Sequence, residues 1–108
     1  MYTEDQKKLL QRIKQAVLDV EPEAEVSLFG SRARGDFQED SDWDLLILLP
    51  GEVNWKRKDP VFAKLYDIEL NNVLIFNTLI YSQKFWAGSE LLQISPFYQN
   101  VVHEKQII

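Results

Sequence analysis

From Leu9 onward, the apolar positions Leu9, Leu10, Ile13, Val17 and Val20 recur three or four residues apart, with lysines and glutamines between them. That spacing predicts an amphipathic helix. Thr3, with Gln6 three residues on, fits a capping box at its start, and Pro22 ends it. The pattern then changes. Residues 24–29, "AEVSLF", alternate as a strand does, and Gly30-Ser31 breaks them off. "SRARG" is short enough for one helical turn or a loop, and residues 36–41, "DFQEDS", read as a polar loop. Trp43 to Leu49 forms a second strand, apolar on both faces beyond Asp44, which predicts a central strand covered on both sides. Pro50-Gly51 stops it. After a connection over residues 51–59, Asp59 caps a predicted helix with Pro60 at its first position. Val61, Phe62, Leu65, Tyr66 and Leu70 supply its apolar stripe. Asn71-Asn72 turn the chain into a third strand, Val73 to Tyr81. Ser82 caps a short helix that closes at Gly88. Ser95-Pro96 opens a last helix with Phe97, Val101 and Val102 facing inward. No internal repeat, low-complexity tract or linker interrupts this order, which predicts a small mixed α/β unit.

Composition narrows the function classes. A length of 108 residues predicts one domain over residues 1–108. A hydrophobic fraction of 45% with 27% charged residues is ordinary for a soluble globular chain. The net charge of −5 argues against a broad surface for duplex nucleic acid, yet leaves room for a local site that takes a nucleotide with its metal. The absence of cysteine excludes disulfides, thiol catalysis and thiolate metal sites. The opening "MYTEDQKKLL" is polar and helical in character, unlike a signal peptide. The run Leu45 to Leu49 is far too short to cross a bilayer. A cytoplasmic location without membrane contact is the default expectation.

Chemistry concentrates in residues 28–50, "LFGSRARGDFQEDSDWDLLILLP". Asp42 and Asp44 are two residues apart at the mouth of an apolar strand. Side chains at that spacing share one face, with Cα atoms about 6.5 to 7 Å apart. Two carboxylates so held can share divalent cations, and a metal pair about 3.5 to 4 Å apart can clamp the attacking and leaving oxygens of a phosphoryl displacement. Magnesium prefers such hard oxygen donors. Taken alone, the two acids also read as solvated loop residues. Gly30-Ser31 changes that balance. Glycine lets backbone approach an anion closely, N–H groups at a helix start favour phosphate, and the serine hydroxyl adds a donor. Gly-Ser, ten residues and then Asp42-Trp43-Asp44 would set a phosphate cradle and a metal seat on successive strands.

The stretch "FGSRARGDFQEDSDWDLLIL" is similar to the signature of the DNA polymerase β-like nucleotidyltransferase superfamily, and within it to the minimal nucleotidyltransferase branch. Gly30-Ser31, Arg34-Gly35 and the Ser41-to-Leu45 block carry the resemblance. It implies a short mixed sheet flanked by helices, and transfer of a nucleoside monophosphate from an NTP to an acceptor hydroxyl with magnesium. By the same resemblance, Gly30 and Ser31 would hold the β/γ-phosphates, Arg34 would reach a phosphate or pair with Asp36 or Asp40, and Asp42 and Asp44 would ligate magnesium. Minimal chains of this family often work with a separately encoded helical partner of the HEPN type, some as antitoxins that add AMP to it. Self-association is left open.

One departure stands out. Active members of the superfamily usually supply a third carboxylate from a later strand, and "NVLIFNTLIY" contains no acid. Asp67 and Glu69 are the nearest acids, placed on the preceding helix, and Asn77 cannot act as a base. A general base typically contributes 10²–10⁴-fold, so the chain is expected to be either a slow transferase or a module that binds NTP–magnesium or a partner without turnover. Outside this stretch, Lys56, Arg57 and Lys58 read as a solvated loop. His103 has no second histidine to join it, and Trp43 is expected on the sheet face opposite the two aspartates.

Overall fold

Thr3 caps the first helix as the sequence predicts. In the computed structural model, which describes residues 2–108, its side chain accepts from the Gln6 N–H at 3.1 Å, and Gln6 Oε1 accepts from the Thr3 N–H at 2.9 Å. These two bonds satisfy donors that helix geometry leaves orphaned, and α1 runs Glu4–Val20 with Leu10, Ile13 and Val17 buried. The chain continues as β1 (Glu25–Phe29), the single turn α2 (Ser31–Arg34) and β2 (Trp43–Leu49). Next come α3 (Trp55–Asn72), β3 (Phe76–Ser82), α4 (Gln83–Gly88), α5 (Glu90–Gln93), α6 (Pro96–Glu104) and β4 (Gln106–Ile107).

The four strands form one mixed sheet in the order β3-β2-β1-β4. β2 pairs antiparallel with β1, where Phe29 faces Asp44, and parallel with β3, where Asp44 faces Asn77. Its central place matches the expectation from its two-sided apolar pattern. The pleat sends Trp43, Leu45, Ile47 and Leu49 to one face, where α1 and α3 cover them, and Leu46 and Leu48 to the other, where Trp86 and Val101 pack. Asp44, in phase with Leu46, belongs to the second face. Trp43 is buried on the first, as expected from the alternation.

Four expectations fail for physical reasons. Asp59 does not cap α3. Asn54 does, its side chain accepting from the Arg57 N–H at 3.2 Å, so the helix starts five residues earlier than Pro60 and carries that proline inside it. Asn71-Asn72 do not turn the chain into a strand at Val73. Asn72 Nδ2 bonds back to Ile68 O at 2.9 Å, the helix keeps both asparagines, and Val73 ends it in the left-handed conformation (φ 52°, ψ 56°), so β3 begins only at Phe76. The apolar stripe of α3 divides: Val61, Leu65 and Ile68 are buried, whereas Phe62, Tyr66 and Leu70 face outward. Likewise only Val101 of the three α6 residues is buried. Phe97 lies half outside, edge-on to Phe29 with centroids 6.1 Å apart, and Val102 is exposed. No helix among the described residues is long and apolar enough to cross a membrane.

Candidate active site

The pleat of β2 brings its acids to the open end of the sheet. Asp42 and Asp44 are both half-buried, and one side chain touches both. Asn77 Nδ2 donates to Asp42 Oδ2 at 3.1 Å and to Asp44 Oδ1 at 2.9 Å. Two like charges are thereby drawn to a single point, where the positive edge of an amide offsets their repulsion. The NH₂ group thus bridges one oxygen of each carboxylate. Turned over, the same amide presents its Oδ1 instead, so Asn77 can meet either the bare acid pair or an ion seated on it.

The Gly-Ser bend lies directly across. Gly30 has φ 73° and ψ −157°, a conformation side chains avoid. A Cβ at this position would stand 2.1 Å from Asp44 Oδ2, so the backbone of the bend lies close against the Asp44 carboxylate. In α2 the N–H groups of Ala33 and Arg34 close on Gly30 O, both at 3.0 Å. Those of Ser31 and Arg32 precede the first intrahelical bond.

Arg34 reaches the same bend, and it is engaged there. Its Nη1 donates to Glu104 Oε1 at 3.0 Å, and its Nε lies 3.3 Å from the Asp36 carboxylate. Both acids raise the arginine pKa, the hydrogen bond to Glu104 most strongly. The sequence anticipated Asp36 as a partner. Glu104, at the end of α6, carries no local signal of its place, 70 residues away in the chain.

A second arginine holds the loop that carries Asp42, and sequence reasoning passed over it. Arg32 is 3% exposed and pairs with no acid among the described residues. Its guanidinium donates to Ser41 O at 2.9 and 3.3 Å and to Glu39 O at 3.0 Å. It lies between the rings of Phe37 and Trp43, 4.5 and 4.3 Å from their centroids. Burial lowers its pKa and Asp40 works the other way. Three charge-assisted bonds and two aromatic faces compensate the buried cation, and they fix the backbone one residue before Asp42.

The remaining charged candidates are spent elsewhere. Glu69 Oε2 accepts from the Phe76 N–H at 2.9 Å and so closes the α3–β3 turn. Asp67 lies on α3 beside a groove shared with Arg12 and Lys64. Lys56, Arg57 and Lys58 are not loop residues but sit in the first turn of α3, beyond the far end of β2. Arg57 is bound there to both carboxylate oxygens of Glu21, at 2.7 and 3.1 Å, and to the carbonyls of Pro50 and Glu52. Among the described residues no group of three or more His, Cys, Asp or Glu side chains could hold a metal ion. The groups that could meet a cation at the bend are the two carboxylates, hard oxygen donors of the kind magnesium and manganese take, joined by the Asn77 amide oxygen only if that amide turns over.

Fold and site together place this chain among the nucleotidyltransferases. Residues 7–95 match the nucleotidyltransferase domain, and the chain belongs to that family. Two solved structures share its fold. One is a protein of Sulfolobus solfataricus assigned as a nucleotidyltransferase, 23% identical, with a TM-score of 0.55, covering 93% of this chain and 76% of its own. The other is a toxin-antitoxin with AMP-PNP, 19% identical, with a TM-score of 0.57, covering 90% of this chain and 69% of its own. No curated protein matches.

Proposed function

We propose that this domain, acting as one unit over residues 1–108, transfers AMP from ATP to a hydroxyl of a separate protein. The observation that carries the reading is the convergence of Asp42 and Asp44 on the Asn77 amide, with Asp44 close against the backbone of Gly30. In this reading Asp42 and Asp44 would hold magnesium, which would supply neutralisation of the phosphate charge. The Gly30-Ser31 bend and Arg34 take the β- and γ-phosphates. Arg32 keeps Asp42 in register by fixing the carbonyls of Glu39 and Ser41. The acceptor oxygen bonds to the α-phosphorus, the bond from that phosphorus to the bridging oxygen breaks, and pyrophosphate leaves. The hydroxyl proton passes to water, since Asn77 occupies the strand position from which a third carboxylate would take it.

The likeness to a toxin-antitoxin that holds AMP-PNP supports an acceptor that is a cognate helical partner of the HEPN type. The test is incubation with α-labelled ATP, magnesium and such a partner. Label on the partner with magnesium, and none with EDTA, is the expected result. Asn77 at the third position favours a second reading, a binding module without turnover. A partner that binds stably and stays unlabelled under magnesium and ATP would select it.

A further inference from the structure

Glu104 occupies two of the donors that the proposed site would offer to a triphosphate, the Gly30 N–H and Arg34. Its Oε2 accepts from the Gly30 N–H at 3.1 Å and its Oε1 from Arg34 Nη1 at 3.0 Å. The carboxylate thus bridges the glycine of the bend and the nearest cation, as a phosphate would. The Glu104 side chain is 20% exposed and that of Arg34 45%, so the pair is in reach of an incoming ligand. The carrying strut is firm. α6 is seated on the sheet by Val101, 1% exposed, and the residues after Glu104 are tied to β1 and α2. Ile107 pairs with Ser27, Lys105 Nζ lies 3.2 Å from Glu25 Oε2, and Gln106 Nε2 donates to Ala33 O at 3.0 Å. A carboxylate held on such a strut competes at high effective concentration.

We propose that Glu104 is an autoinhibitory residue, an internal anion that a phosphate must displace to reach the Gly30 N–H and Arg34. The inference rests on the nucleotide site of the preceding section and concerns only its phosphate end. Ligands that gain metal bonds at Asp42 and Asp44 can displace the carboxylate. Those that offer one phosphate and no chelated ion gain too little, and nucleosides do not meet it at all. The intact bridge therefore weakens every ligand that reaches the bend and leaves the base end untouched.

The test compares wild type with Glu104→Gln, which keeps the side-chain length and removes the charge. Binding of Mg-ATP, magnesium tripolyphosphate and adenosine is measured by calorimetry, with thermal unfolding to confirm that the variant is folded. The expected result is tighter binding of Mg-ATP and tripolyphosphate by about tenfold, the scale of releasing charge-assisted hydrogen bonds, with adenosine unchanged. A merely structural role predicts the opposite sign, since loosening α6 could only weaken the site. Triphosphate affinity that stays equal or falls in a folded variant overturns the inference and leaves the nucleotide site standing. Failure of both proteins to bind either triphosphate overturns the two together.

Discussion

Asn77→Asp is expected to raise magnesium-dependent transfer by about 10²-fold or more, within the range a positioned base contributes. Asn77 is the register partner of Asp44 on β3 and bonds to both site acids. Aspartate there differs from asparagine by one atom, keeps the geometry and adds the absent base. Without a cation the same substitution sets three carboxylates around one point and removes the amide that bridges two of them. The variant should therefore unfold at a lower temperature than wild type in EDTA, by an amount worth about 1 kcal/mol after screening at this exposed position. Magnesium should restore it. Single-turnover labelling of the partner and thermal unfolding with and without magnesium read the two effects. A folded variant with no gain in rate would show that proton removal does not limit the reaction.

Gly30→Ala should remove the site outright. The substitution adds one methyl group at φ 73°, a conformation strained for alanine, and places it 2.1 Å from Asp44 Oδ2. Strain of this kind costs about 1–3 kcal/mol, and the collision must displace the Asp44 carboxylate or the strand beneath it. Urea unfolding should show a loss of about 3 kcal/mol, and magnesium-dependent ATP binding should fall below detection. Gly88→Ala is the control. Nothing lies within 4 Å of its added Cβ, and it sits in α4, so stability should hold or rise slightly. Equal losses at the two positions would mean that the contact between bend and acid contributes nothing.

The legible parts of this fold are those that local chemistry decides. The unbroken apolar run of residues 45–49 after Asp44, stopped by Pro50-Gly51, marked both the bounds of β2 and its burial, because a strand covered on two faces reads as a continuous apolar run. Thr3 and Gln6 cap each other, as do Ser82 and Ser95 their own helices, because those bonds span three residues. The Gly-Ser bend and the two aspartates were legible by their spacing. The missed features depend on distant partners. β4 is two residues long and exists only by pairing with Ser27 and Leu28. Glu104 meets Gly30 across 74 positions. Arg32 carried no signal in the sequence, since its burial depends on Phe37 and Trp43 closing around it. The α3–β3 boundary was misread because Asn71-Asn72 favour a turn in isolation, while Asn72 here bonds back into its own helix.

The two aspartates and the bend are expected to act together on a metal-bearing nucleotide. Calorimetric titration of Mg-ATP into wild type and into Asp42→Asn/Asp44→Asn, each also with ATP in EDTA, addresses this directly. Wild type should bind Mg-ATP and lose most of that affinity in EDTA. The double variant, with its charge repulsion removed, should remain folded and bind without regard to magnesium, at least about tenfold more weakly. Magnesium-dependent binding that survives in the double variant would contradict the account.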